Sequence, residues 1–201
     1  MRTERIAAVL LAAGTSSRFG KEDKLMADLR GKPVVQHVLE TVASMAFGEL
    51  IAVTRPLGQA PVIHRKLERR GYTILVNEQP EEGISSSIVR AVEHVMPIRR
   101  IRGILICLAD MPEVPQTHYN RLCMAAIDIR SVVASTDGFS SSPPAFIGRK
   151  HFGELLTLRG DQGARALLSH GVQIETHGNL LRDIDTPEDL MAWQPATDGP
   201  D

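Results

Sequence analysis

Cysteine is scarce in this 201-residue chain, which carries only Cys107 and Cys123. They form no Cys-x-x-Cys pair, which argues against zinc and iron–sulfur sites and against a disulfide framework. Cys107 lies inside the apolar run Ile104–Leu108, where a buried thiol behaves as a small hydrophobe. Long hydrophobic runs are also missing. Nothing approaches the about 18 consecutive apolar residues of a membrane span, so no membrane partner is expected. Excess charge of one sign is absent too: 23 Lys and Arg stand against 24 Asp and Glu, net −1. A general nucleic-acid binder carries a basic excess, so any phosphate-binding charge here has to be local. The first residues, Met1–Arg5, lead straight into an apolar run with no signal-peptide cleavage pattern, which points to a cytoplasmic protein. The seven histidines share no metal-ligand spacing and suggest no Ser-His-Asp arrangement.

What is present is an ordinary globular composition, 43% apolar and 23% charged. Short apolar runs alternate with helical patterns. Strands are expected at Ile6–Leu11, Leu50–Thr54, Tyr72–Val76, Gly103–Leu108, Val132–Ser135 and Ala145–Ile147, with weaker candidates at Val172–Thr176 and Leu181–Ile184. Helices are expected over Pro33–Met45, Gln59–Arg70, Ile84–Met96, Gln116–Ile127, Arg149–Leu156, Asp161–His170 and Pro187–Trp193. The polar tail from Gln194 is expected to fray. Such alternation, with near-continuous apolar strands, predicts an α/β fold: a mostly parallel sheet covered by helices on both faces. With no internal repeat, low-complexity block or linker, residues 1–201 read as a single domain, of the usual ~100–200 residues. Ligands then belong at the carboxyl ends of the strands. Polar clusters do follow the first, third and fourth of them.

The first cluster is the most informative. Leu10-Leu11-Ala12-Ala13-Gly14-Thr15-Ser16-Ser17-Arg18-Phe19-Gly20 runs on to Lys24. Glycine lets backbone N–H groups approach phosphate oxygens, and Arg18 and Lys24 offset phosphate charge. The spacing fits neither G-x-x-x-x-G-K-[ST] nor G-x-G-x-x-G, so a nucleotide is held in a third way. A solvated basic surface loop is the bland alternative, and Lys21 is assigned to solvent.

Asp110 ends the apolar run of the fourth strand, before Met111-Pro112. One exposed carboxylate with substrate phosphates and water can anchor Mg²⁺, although an Asp here can also start a turn or cap the next helix. Asp183-Ile184-Asp185-Thr186-Pro187-Glu188-Asp189 supplies a second carboxylate and is equally a good helix start. In Asn77–Ser87, Gly83 permits close backbone approach, and Ser85, Ser86 and Ser87 offer short donors that can also cap a helix.

These segments carry a family resemblance. Leu-Ala-Ala-Gly-x-Ser-Ser-Arg-Phe-Gly-x-x-x-Lys resembles the signature opening the nucleotidyltransferases of the sugar-nucleotide and molybdenum-cofactor type, and looks most like the molybdenum-cofactor cytidylyltransferase branch. Leu-Ala-Asp110-Met-Pro resembles the family's metal motif, Gly83-x-x-Ser86-Ser its base and ribose border, and Asp183-x-Asp185-Thr-Pro-Glu-Asp-Leu a run near the metal. The resemblance spans nearly the whole chain, with the motifs in family order. It implies a three-layer α/β/α, Rossmann-like nucleotidyltransferase fold, with a nucleotide-binding half over about residues 1–112, an acceptor-facing half over about 113–193 and the tail 194–201.

It also implies an Mg²⁺-dependent enzyme, with Mn²⁺ as an alternative ion, in which Arg18, Lys24 and Asp110 are catalytic. Leu11, Ala12, Ala13, Gly14, Thr15, Ser16, Ser17, Arg18, Lys24, Gly83 and Ser86 bind nucleotide, and Asp110 and Asp185 hold the metal, Asp185 directly or from the outer shell. Asp183 and Asp189 are read as structural. Ser141-Ser-Pro143-Pro departs from the family's Gly-x-Pro, and Asp161, Gly163 and Arg165 either line the acceptor cleft or serve as cap and surface residues. The implied reaction is attack by a terminal phosphate of a molybdopterin-type acceptor on the α-phosphate of CTP, with the product passed to a molybdoenzyme. Alternatives are guanylyl transfer, cytidylyl transfer to a sugar or alcohol phosphate, and a non-catalytic cofactor carrier.

Overall fold

The computed structural model describes residues 1–16, 18–20, 22–160, 164–176 and 179–193. The chain begins with β1 (Ile6–Ala12), buried throughout. A two-residue hairpin, β2 (Asp28–Leu29) and β3 (Lys32–Pro33), precedes α1 (Val34–Ala43). Then follow β4 (Glu49–Thr54), α2 (Pro61–Glu68), β5 (Thr73–Val76), α3 (Ile84–Val95) and β6 (Gly103–Leu108). The second half contains α4 (Gln116–Ala125), β7 (Val132–Thr136), β8 (Ser141–Gly148), α5 (Phe152–Leu155), α6 (Arg165–Ser169), β9 (Val172–Glu175) and α7 (Pro187–Trp193).

Seven strands form one sheet in the order β5-β4-β1-β6-β8-β7-β9. All its pairs are parallel except those of β8, which runs antiparallel to β6 and β7. Strand β1 sits between β4 and β6, with Leu10 opposite Ala52 and Cys107. The two-residue period of β1 divides the core. Ala8, Leu10 and Ala12 pack with Val38, Leu39 and Val42 of α1, Ile63 and Leu67 of α2, and Tyr119 and Leu122 of α4. Ala7, Val9 and Leu11 pack on the other face with Ile88, Val92 and Val95 of α3 and with Phe152 and Leu168 of α5 and α6. The result is the expected three-layer α/β/α architecture. Gly103 is needed where β6 meets β8: a Cβ there would lie 2.3 Å from the Phe146 ring.

Several expectations require correction. Leu181–Ile184 is not a strand; one backbone hydrogen bond, Ile184 N–H to Asp110 O at 2.9 Å, ties it beside β6. The expected helix over Arg149–Leu156 is a 3₁₀ turn, Arg149–His151, followed by the short α5. Strand β8 starts at Ser141 rather than Ala145, its proline-containing half pairing with β7 across an irregularity at Ala134/Ser135. The β2–β3 hairpin was not anticipated; Arg30 and Gly31 turn it with φ of 54° and 79°. The expected helix over Asp161–His170 is described only from Arg165, and Asp161, Gly163 and the tail lie outside the described residues. Both cysteines are buried and free, Cys107 within its apolar run. Among the described residues, no helix is long and apolar enough to cross a membrane.

Candidate active site

Three chain segments converge where β1 and β6 end. The first is the loop after β1. Backbone pairing persists beyond the strand, with Ala109 N–H donating to Leu11 O at 3.1 Å, so the two strand ends stay together as they open. Gly14 faces free space: a methyl group there would meet no protein atom within 4 Å. Ser16 adopts φ of 53°, which bends the loop back. The loop closes on a 3₁₀ turn, Lys24–Met26, capped by Asp23, whose Oδ1 accepts from Leu25 N at 3.1 Å. Leu25 is buried in the main core, which anchors Lys24 beside it.

The second segment is Asp110, following β6. The third is Asp183-Ile184-Asp185. Ile184 is fully buried against Phe19, Leu29 and Val34, and both flanking carboxylates line the cleft. The turn after it is held by reciprocal capping: Asp189 Oδ2 accepts from Thr186 N at 2.9 Å, and Asp189 N donates to Thr186 Oγ1 at 3.1 Å. Asp189 is therefore structural, as its place in the sequence indicates.

At the convergence, Lys24 Nζ donates to Asp110 Oδ2 at 2.7 Å and to Asp185 Oδ1 at 2.6 Å. Arg18 Nη1 donates to the other Asp185 oxygen at 2.9 Å. Asp183 completes a carboxylate triad; one oxygen from each of Asp110, Asp183 and Asp185 lies within 4.8 Å of the others. Burial works to lower the Lys24 pKa, but the carboxylates of Asp110 and Asp185 outweigh it and raise the value above 10.5. Asp183 is pushed above the ordinary carboxylate value, first by burial and then by the negative charges of Asp110 and Asp185. The second oxygen of Asp110, Oδ1, is buried with no hydrogen-bond partner among the described residues. Hard carboxylate oxygens around an unpartnered buried acceptor fit a divalent cation.

The triad forms the floor of a cleft of about 580 Å³. Of the residues singled out in the sequence, Leu11, Ala13, Gly14, Thr15, Ser16, Arg18, Lys24, Gly83, Asp110 and Asp185 all line it. Ala12 is turned into the core. Ser17 and Lys21 lie outside the described residues. Ser86 is drawn away: its hydroxyl donates to Gly83 O at 2.8 Å, accepts from Asn77 Nδ2 at 2.8 Å and borders a neighbouring cavity. Ser87 and Ile84 face the main cleft instead, beside Gly83 with φ of 85°. Arg165 also reaches the cleft. Asp183, read from the sequence as structural, lines the cleft beside the other two carboxylates. Its signal was the two-residue period of Asp-Ile-Asp, in which a buried Ile184 sends both neighbours the other way.

This arrangement, a loop with open space at its glycine facing paired cations and carboxylates, suits a nucleoside triphosphate. The profile of the MobA-like NTP transferase domain matches residues 8–176. The chain belongs to that family. It is a nucleotidyltransferase with a cluster of acidic groups suited to a divalent metal. The match ends before Asp183 and Asp185, so the third segment of the site comes from outside it. Among curated relatives, purine catabolism protein PucB of Bacillus subtilis is 30% identical over 203 aligned residues, covering 94% of this chain and 96% of its own. Molybdenum cofactor guanylyltransferase of Vibrio campbellii is 24% identical, covering 92% and 93%. In structure, Rv0371c of Mycobacterium tuberculosis, solved as a complex with manganese, superposes with a TM-score of 0.77 at 24% identity, over 96% of this chain and 100% of that one. That level of identity supports the fold of this family member.

Proposed function

We propose that this nucleotidyltransferase moves CMP from CTP onto the terminal phosphate of a molybdopterin-type acceptor and releases pyrophosphate. The observation that carries this reading is the meeting of Lys24 with Asp110 and Asp185 beneath the open face of Gly14, with Asp110 Oδ1 left unpartnered. An acceptor phosphate oxygen attacks the α-phosphorus, a new P–O bond forms, and the bond to the β-phosphate oxygen breaks. The acceptor brings its own nucleophilic oxygen, so no covalent enzyme intermediate is required.

In this reading the backbone of Ala13–Ser17 and Gly83 cradles the nucleotide, while Arg18 and Lys24 neutralise the triphosphate. Asp110 and Asp185, with Asp183 beside them, would hold Mg²⁺ or Mn²⁺, which when bound offsets charge on the phosphate oxygens. Rv0371c, which shares this fold, was solved as a complex with manganese, in keeping with use of a divalent ion. Residues 1–112 supply most of the nucleotide side, and the acceptor is taken by the second half, from which Arg165 lines the cleft and offers a cation for its phosphate. Cytidine is favoured by Ala13, which lines the cleft and adds a Cβ that disfavours a purine there. The relative named molybdenum cofactor guanylyltransferase favours a second reading, GTP in place of CTP.

Thermal unfolding with CTP, GTP, ATP and UTP, each with and without Mg²⁺, separates the readings. A ligand at 100 times its Kd stabilises the fold by about 2.7 kcal/mol. A shift with CTP and Mg²⁺ that is lost in Asp110→Ala supports cytidylyl transfer, and a shift confined to GTP replaces it with guanylyl transfer. No shift with any of the four contradicts nucleotide binding at this site.

A further inference from the structure

Arg55 stands just past the end of β4 and belongs to none of the motifs above. Its guanidinium Nη2 pairs with Asp23 Oδ2, with side-chain exposures of 11% and 21%. Asp23 divides its two oxygens. Oδ2 takes Arg55, while Oδ1 accepts from Leu25 N at 3.1 Å and Ser16 Oγ at 3.5 Å. The same carboxylate therefore caps the turn that carries Lys24, touches the bend of the phosphate loop and is tied to the neighbouring strand. Arg55 is itself fixed from behind: its carbonyl lies 2.9 Å from Nε2 of buried His64, which also meets Thr54 Oγ1 at 2.8 Å. Neither Asp23 nor Arg55 lines the cleft.

We infer that Arg55, acting through Asp23, is a positioning residue that holds the Lys24 turn so its ammonium reaches into the cleft. Two physical effects combine. Arg55 Nη2 holds Oδ2 of the capping carboxylate by a charge-assisted contact, which leaves Oδ1 turned to Leu25 N. It also neutralises Asp23; an unpaired carboxylate one residue before Lys24 competes with Asp110, Asp185 and incoming phosphate for the same ammonium. A lysine displaced by about 1 Å loses much of its effect on a transferring phosphate.

The inference rests on Lys24 contacting the nucleotide, as proposed above. The test is a double-mutant cycle on nucleotide affinity, measured by calorimetry with Mg²⁺ and the triphosphate that wild type binds most tightly among CTP, GTP, ATP and UTP. Five proteins are compared: wild type, Arg55→Met, Arg55→Lys, Lys24→Met and the Arg55→Met/Lys24→Met double variant, with circular dichroism reporting the fold of each. Arg55→Met is expected to weaken binding about tenfold, Arg55→Lys to recover part of that loss, and Arg55→Met to add nothing once Lys24 is already Met. Additive losses, or no loss in Arg55→Met while Lys24→Met binds weakly, overturn the positioning role and leave the nucleotide site standing. Unchanged binding in Lys24→Met, or no binding of any triphosphate to wild type, overturns both. If Arg55→Met does not fold, the same cycle is read with Asp23→Asn, which keeps the cap and removes the charge.

Discussion

Lys24 Nζ stands 2.7 Å from Asp110 Oδ2, so the cation of the phosphate loop and the carboxylate at the end of β6 are directly paired. One comes from a turn after the first strand and the other from the edge of its sheet neighbour. Their contact ties the two motifs into one site. It also means that the ammonium occupies one oxygen of the carboxylate that a metal would use.

In the proposed reading a divalent ion at Asp110 would sit beside the ammonium of Lys24, and the two like charges would oppose each other. Lys24→Met should bind Mn²⁺ at least about tenfold more tightly than wild type without nucleotide, because a positive charge beside the carboxylates is gone. Free Mn²⁺ followed by electron paramagnetic resonance reads this directly. Equal or weaker binding in the variant contradicts this opposition of charges.

His118 gives a pH dependence away from the site. It is buried, and its Nε2 lies 2.8 Å from Ser135 Oγ, whose hydroxyl donates to Pro144 O at 2.6 Å. The serine proton is committed, so Nε2 donates, leaving Nδ1 unprotonated and buried with no partner among the described residues. Burial first, and the charge of Arg121 second, hold its pKa below the ordinary 6.5. The unfolded chain then takes up a proton before the folded one does. Stability from this residue is present above about pH 6.5 and is lost as pH falls from there toward the lower folded value. Denaturant unfolding between pH 7.5 and 5 should show that loss, and His118→Gln should flatten this component of the slope. An identical slope in the variant counts against it.

Gly103 tests the packing of β6 on β8. Alanine there drives a methyl into the Phe146 ring, and overpacking of this kind costs about 1–3 kcal/mol. A domain of this size should then lose roughly 2–4 °C in Tm for each kcal/mol. Gly103→Ala with unchanged Tm shows that the ring yields freely.

Much of this site was legible because its chemistry sits where strands end. The apolar runs Ile6–Leu11 and Ile104–Leu108 mark the two central strands, and the residues after them, Gly14 to Lys24 and Asp110, are brought together by sheet pairing alone. Legibility fell where a long-range contact decides the outcome. Leu181–Ile184 has the composition of a strand, yet Ile184 is spent on a small core with Phe19, Leu29 and Val34, and this brings Asp183 to the metal side. Ser86 and Ser87 are equivalent in sequence, and Asn77 Nδ2 donates to both; the register of α3 separates them, sending Ser87 to the cleft and Ser86 to its neighbour. The proline pair hid the first half of β8. Arg55 carries no local signal, since its partner lies 32 residues earlier.

In the proposed reading the methyl group of Ala13 disfavours a purine base. This Cβ is nearly buried at the cleft wall, and Ala13→Gly removes it. The variant should gain measurable use of GTP while keeping CTP, read as the ratio of kcat/KM for the two. A ratio equal to that of wild type contradicts a role for this methyl group.

Transfer itself tests the central claim most directly. Purified protein is incubated with molybdopterin, Mg²⁺ and either CTP or GTP, following pyrophosphate and the dinucleotide product by chromatography. The account predicts the cytosine dinucleotide with stoichiometric pyrophosphate, and a rate at least about 100-fold lower in Asp110→Asn. Preference for GTP, or undiminished turnover in Asp110→Asn, would contradict it.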